Sequence, residues 1–451
     1  MGDAFLKAAP AARLAKLSGA LLAAVWLVEL ARIVRPAPPL ATLGGAALAA
    51  FVALALVRAN RHIRALFLVV AGTSAVMAWR GGVPDALAAG FGRAQIFGAF
   101  LPSVLFLRAT AEASPRIARL RHGLGGLDAA GAQNWTLYGS HALGAVLNVG
   151  AMSILAPVVS RGAGEARREG LASSSARGVG TAVMWSPFFI AMAFTSQLVP
   201  GVAVWEAMSV GVGLAAIGLA LSHALFTPAL RGAAFRSSVA QLGPLVAPMA
   251  IVVAAVVAAN AFVGLNGLQS VALVVPACCL AYLAALGPEA AREAARRAFE
   301  SFGRLADELL IVAGATILAA VVAALPSAHA FGAAVTPGLV SGFALIVALV
   351  FVLVALGQAG LHPMIGAGIV VPVIAAGPFG VCHAVLVETA VFAWGLSASI
   401  SMWTLPIVAA SISFNVPVRS LVSRRNLLFG LLYALAGVLY LGAVNAACAP
   451  T

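Results

Sequence analysis

Charge is scarce in this chain. Charged residues make up 9% of its 451 positions, against 62% hydrophobic residues and a mean hydropathy of +1.05. A soluble domain carries about a quarter of its residues as charge, so an ordinary water-soluble fold is excluded. Strict two-residue alternation is also missing, which excludes a β-barrel. The sequence holds no P-loop, no Gly-x-Ser-x-Gly elbow, no His-Glu-x-x-His pair and no acidic metal cluster. Work driven by ATP bound to this chain, hydrolysis and metal-assisted catalysis are therefore not expected, and the chain reads as a non-enzyme without cofactor or metal. The cysteines Cys278, Cys279, Cys382 and Cys448 lack metal-ligand spacing. They are expected to be small core residues with no disulfide framework. Lys7, Arg13 and Lys16 precede the first apolar run, and no small-residue cleavage site follows them. A retained first helix is expected there.

What is abundant is apolar sequence. Segments run over 17–35, 38–57, 65–80, 85–107, 137–160, 178–200, 203–226, 241–263, 268–287, 308–326, 338–357, 359–378, 383–414 and 427–447. Many hold about 18 or more apolar residues, enough to cross a hydrocarbon core of roughly 30 Å as helix. The expected fold is all-α and polytopic, with the lipid bilayer as its main partner. The net charge of +13 sits in short loops: Arg58, Arg61 and Arg64; Arg116, Arg119 and Arg121; Arg161, Arg167, Arg168 and Arg177; Arg231 and Arg236; Arg419, Arg424 and Arg425. That is a positive-inside distribution and gives no sign of nucleic acid binding. Abundant Ala, Gly, Val and Arg fit a bacterial inner (plasma) membrane.

One pattern occurs twice. Met184-Trp185-Ser186-Pro187 is echoed by Met402-Trp403-Thr404-Leu405-Pro406. Each copy follows an apolar stretch that carries a polar residue near its start and ends in proline. The first runs from Leu147-Asn148-Val149-Gly150 to Pro157, the second from Leu361-His362-Pro363 to Pro372. Proline removes a helix hydrogen bond and frees a carbonyl, and a neighbouring Ser186 or Thr404 hydroxyl can satisfy it or face a ligand. Two repeats are expected, 1–226 and 227–451. Each holds a re-entrant hairpin (137–160 and 359–378) and a broken helix (178–200 and 383–414). The first hairpin is expected to split at Asn148-Val149-Gly150. The second is expected to split at His362-Pro363 and Gly366-Ala367-Gly368. Paired broken segments of this kind build mid-membrane substrate sites in secondary transporters.

Polar groups inside apolar runs are costly without partners. Glu388 is the only acidic residue of the second broken helix, and it reads either as an ion or proton site or as a residue at the membrane edge. His362 reads as a proton carrier or anion donor, with a helix-capping or packing histidine as the rival. His141 is a weaker candidate, because it can sit at the interface. Ser397, Ser399 and Ser401 would splay around a regular helix; an unwound stretch before Pro406 would gather them. Residues 288–308 mix charges at three- and four-residue spacing, which predicts a surface helix with internal ion pairs. It is either an interfacial linker or a solvated loop helix. Seven crossings counted from 178 to 414 would put Arg161–Arg177 and Arg419–Arg425 on opposite sides. The basic loops should share a side, so one segment between 203 and 357 is expected not to cross.

Over 137–200 and 358–410 this organisation resembles the ion transporter superfamily. That group includes divalent anion/sodium symporters, arsenite permeases and the large subunit of tripartite periplasmic transporters. The resemblance implies inverted repeats, a substrate between hairpin tips and helix breaks, and a homodimer. Asn148 falls where the symporters have the asparagine of a Ser-Asn-Thr tip, but its neighbours are Leu147 and Val149, and His362-Pro363 replaces the second tip. The expected function is a secondary transporter of a small, organic-acid-like anion by alternating access, coupled to sodium ions or protons. Asn148, Ser186, His362, Thr404 and Ser399 are the candidate substrate contacts; Glu388, His362 and Thr181 are the candidates for ion coupling. The rival readings are a permease subunit that needs a periplasmic binding partner and a lipid-modifying or assembly protein.

Overall fold

Pro-punctuated apolar runs give helices throughout a computed structural model, which describes residues 2–159, 163–226, 233–328, 330 and 341–448. Arg161 and Arg231 lie outside the described residues, as do the side chain of Arg236 and the start of the 338–357 segment. The helices are α1 (Gly2–Val34), α2 (Pro38–Arg58), α3 (Arg61–Arg80), α4 (Asp85–Ala94), α5 (Phe97–Glu112), α6 (Pro115–Leu124), α7 (Ala129–Asn134), α8 (Ser140–Leu147), α9 (Gly150–Leu155), α10 (Glu165–Ala182), α11 (Ile190–Leu198) and α12 (Val204–Phe226). There follow α13 (Ala233–Val263), α14 (Gly267–Leu286), α15 (Pro288–Phe302), α16 (Ala306–Ala324), α17 (Gly342–Gln358), α18 (Pro363–Ala375), α19 (His383–Ile400), α20 (Leu405–Phe414), α21 (Val418–Leu421) and α22 (Arg424–Cys448). Among the described residues, 10 helices are long and apolar enough to cross a membrane.

The chain divides into two compact units, and each draws on both halves of the sequence. One comprises Met1–Ala113, Gly264–Ala334 and Gly368–Ala376. Within it Trp26 donates to Ser103 Oγ (3.0 Å) and Ser103 donates to Ala272 O (3.0 Å), tying α1, α5 and α14. Gly90 lets α4 lie against the α16 backbone at Thr316 and Ile317. Arg58 donates to Gly303 O (2.8 Å), and Asn60 donates to Asp307 Oδ2 (2.5 Å). The expected charged helix is α15. Its Glu293 pairs with Arg296 and Arg297, and Arg296 also pairs with Glu300, while Ala294, Ala298 and Phe302 form a buried stripe.

The other unit comprises Ser114–Val263, Val335–Ala367 and Gly377–Thr451. It holds both Trp-[Ser/Thr]-Pro elements. The first broken helix is α10 and α11 with an interruption at 183–189; the second is α19 and α20 with an interruption at 401–404. Both breaks fall where the sequence places them. The 137–160 segment also breaks as expected, between α8 and α9, with Asn148 at φ 56°.

The 359–378 segment does not. Its turn occupies 359–362, with Gly360 at φ 87°. Pro363, which has no N–H to lose, opens α18. Gly366, Ala367 and Gly368 lie inside that helix. Gly366 is small because a Cβ there would come within 2.9 Å of Leu353 and 3.3 Å of Leu356 on α17. The 338–357 segment is thus the first arm of this hairpin. Neither arm, of 17 and 13 residues, is among the membrane-length helices. Removing that segment from the crossings between 178 and 414 leaves six.

Two further expectations fail. Cys382 and Cys448 form a disulfide across 66 positions, while Cys278 and Cys279 are free. Asn445 brings the two ends together: it accepts from Cys382 N (2.8 Å) and donates to Gly380 O (2.8 Å). Arg177 is not a loop residue. It lies in α10 and is 5% exposed. It donates to Ser222 (2.8 Å), Asn426 (2.6 Å) and Ser174 (3.1 Å), with the Phe226 ring 4.5 Å away. Neutral acceptors from α12 and α22 and an aromatic face take the place of a counter-ion.

Candidate functional site

All the candidate residues fall in the second unit, around the two breaks. At the first break Pro187 cannot donate, so the local backbone leaves the helical ladder. Ser186 donates to Ala145 O on α8 and accepts from Phe188 N (3.3 Å). Its hydroxyl is spent on holding the break to the first hairpin. Next to it, Trp185 Nε1 donates to His141 Nε2 (3.2 Å), His141 Nδ1 meets Thr181 Oγ1 (3.0 Å), and Thr181 donates to Gly178 O (2.9 Å). Directionality fixes the chain: Nε2 accepts from the indole, so the imidazole proton is on Nδ1. His141 therefore ties α8 to the first broken helix through Trp185 and Thr181, two partners that position in the sequence does not show. Asn148 caps the tip, its Oδ1 accepting from Val149 N (2.8 Å).

At the second break Thr404 Oγ1 bridges the gap by donating to Ala398 O (2.7 Å) and Ser401 O (2.8 Å). Trp403 is 74% exposed. The hairpin turn packs against α19, at Trp394 and Ser397. His362 Nδ1 accepts from Met364 N (3.3 Å), which caps α18 and leaves the proton on Nε2. The His362 ring stands edge-on to Trp394, 5.5 Å between centroids. The capping and packing roles are thus present, and Nε2–H is still available.

The three serines are not gathered. Helix α19 continues to Ile400, so they splay as regular geometry requires. Ser399 donates to Gly395 O (2.8 Å) and faces Gly180 on α10. Ser397 faces Gly357, just before the hairpin turn. Ser401 lies one turn further on, in the break. Ser397 and Ser401 are each 1% exposed, and neither hydroxyl has a hydrogen-bond partner among the described residues. Buried polar groups without partners are rare and call for an explanation.

The two broken helices meet directly. Gly180 approaches Ser399, and Met184 and Val183 approach Gly395, so α10 and α19 run antiparallel along their contact. Glu388 lies further back on α19, fully buried.

This arrangement defines an all-α, multi-pass membrane protein with two interrupted helices packed together. No family model matches the chain. No curated protein matches it. Two solved structures are similar. MtrF of Neisseria gonorrhoeae, whose structure is said to illuminate a class of antimetabolite efflux pumps, gives a TM-score of 0.40 at 15% identity, over 76% of this chain and 80% of that one. The YdaH transporter of Alcanivorax borkumensis, with an unusual topology, gives 0.42 at 15% identity, over 79% and 86%. At this distance function has to be read from the chain's own residues.

Proposed function

We propose that this protein is a secondary transporter for a small anionic solute, with its binding site at the second break. The observation that carries this reading is the pair of orphaned hydroxyls, Ser397, which faces Gly357 just before the hairpin turn that carries His362, and Ser401, one turn on in the break. Two hydroxyls and the His362 Nε2–H are donors, and the positive end of α18 adds to them. Donors without acceptors in a dry site suit a carboxylate or a similar oxyanion. Thr404 and Ser399 hold the break and the helix crossing around them. Asn148, Ser186 and Thr181 would form the matching first half, with the antiparallel contact of α10 and α19 supporting inverted repeats. Transport by alternating access would be coupled to sodium ions or protons.

Topology supports this. The 10 membrane-length spans and the broken helix Glu165–Leu198 give an odd number of crossings. With the N-terminus inside, the clusters at Arg58–Arg64, Arg116–Arg121, Arg167–Arg168 and Arg419–Arg425 all come to the cytoplasmic side, as does α15. Cys382 and Cys448 then come to the other side, the oxidising face of a bacterial inner membrane. Two unrelated signals, basic loops and a disulfide, agree on one orientation. Anion-dependent stabilisation of the purified protein, compared with a Ser397→Ala/Ser401→Ala variant, tests the site.

A further inference from the structure

The second break leaves Glu388 unexplained. It is 0% exposed, and neither carboxyl oxygen has a hydrogen-bond partner among the described residues. The elements packed against α19 are α10, α11, α12, α17, α20 and α22. Helices α11, α17 and α20 carry no charged or titratable residue. From α12 the facing residue is Gly211. A Cβ there would come within 3.0 Å of Glu388 Oε2 and would overlap the Met184 carbonyl of the first break. That carbonyl has lost its helical donor, because Phe188 N–H goes to Ser186 Oγ instead.

From α22 the titratable neighbours are Tyr433 and Tyr440. Their hydroxyls donate elsewhere, to Leu214 O (2.8 Å) and Val210 O (3.2 Å). The remaining charges on these helices are distant or engaged. Arg177 and His223 bind at the Ser222–His223 end of α12, about 16 Å along the helix from Gly211. Glu206 accepts from Ala203 N at the helix start. Glu165, Arg167, Arg168, Glu169, Arg424 and Arg425 lie in the opening turns of α10 and α22.

A carboxylate in such a place would be a bare, dry charge. A hard cation needs a shell of several oxygens, and the oxygens that meet over the bare Cα of Gly211 are Glu388 Oε2 and Met184 O. We propose that Glu388 is a proton-binding site. In this conformation the carboxyl is the neutral acid, with its Oε2 and the Met184 carbonyl both facing the bare Cα of Gly211. When the first break moves and water reaches the group, the O–H bond breaks. The electron pair then stays on the carboxylate and the proton passes to water. Because Met184 belongs to the first break, movement of that break changes the surroundings of the acid. Joined to the transport reading above, on which this step rests, the coupling ion is a proton.

The test needs no cargo. Infrared difference spectra of the purified full-length protein at neutral pH, in light and heavy water, are compared between wild type and Glu388→Gln. The expected result is a protonated-carboxyl band in wild type that shifts on deuteration and is lost in the variant. Glu388→Met, which fills the space without titrating, serves if the glutamine form does not fold. A wild-type spectrum without that band, or a band unchanged in the variants, overturns the proposal. A band at Glu388 in a protein that moves no solute would instead defeat the transport reading and leave the proton site standing. Solute flux driven by sodium alone, with no band, would do the reverse.

Discussion

Ser399 Oγ lies against the bare Cα of Gly180, where α10 and α19 cross. The two broken helices depend on this closeness, because a side chain at Gly180 would overlap the hydroxyl. The Ser399 Cβ is 3.5 Å from the same point, ordinary contact distance.

Gly180→Ala should therefore destabilise the protein by about 1–3 kcal/mol, the usual cost of overpacking. Ser399→Ala in the same chain should recover most of that loss, since only the oxygen is in the way. Thermal melting of the two single variants and the double variant checks it. Additive losses would show that the crossing is not where the strain arises.

Cys382–Cys448 closes a loop of 66 positions. By chain entropy such a link is worth about 4 kcal/mol. Cys448→Ser should lower the melting temperature, and reductant should lower it in wild type but not in the variant. Thiol labelling of the reduced protein in intact cells should reach these positions from outside and not Cys278 or Cys279.

Glu293 on α15 takes hydrogen bonds from Arg296 and Arg297, which pull its carboxyl from 4.5 down to about 2. The folded value is the depressed one, so this contribution is present above about 4.5 and fades as pH falls toward about 2. The pairs are exposed, so salt should weaken them too. Amide exchange in α15 should speed up in Glu293→Gln at neutral pH. Wild type should approach the variant in acid.

Much of this was readable in the sequence. A proline beside a hydroxyl residue inside a long apolar run has few outcomes but a break, and both breaks fall where Pro187 and Pro406 place them. The second hairpin was misplaced because small residues serve two ends. Gly360 is small to turn the chain, whereas Gly366 is small to admit Leu353, and no local pattern separates the two. Cys382 and Cys448 meet through Asn445, a contact across more than sixty positions that composition does not encode. Arg177 has the look of a loop arginine until Ser222, Asn426 and Phe226 close around it. The orphaned hydroxyls of Ser397 and Ser401 are a property of packing alone, since any buried serine reads the same in sequence.

The central claim is an anion site at the second break. The direct measurement is thermal stability of the purified protein against a panel of organic and inorganic anions, with and without sodium, at two pH values. Ser397→Ala/Ser401→Ala is measured in parallel. Neither hydroxyl has a hydrogen-bond partner among the described residues, so the variant should melt close to wild type when no anion is present. The account predicts that at least one anion stabilises wild type, by about 2.7 kcal/mol at a hundred times its Kd, and that the variant loses the effect. No shift with any anion in any condition, or a shift that the variant keeps, would contradict it.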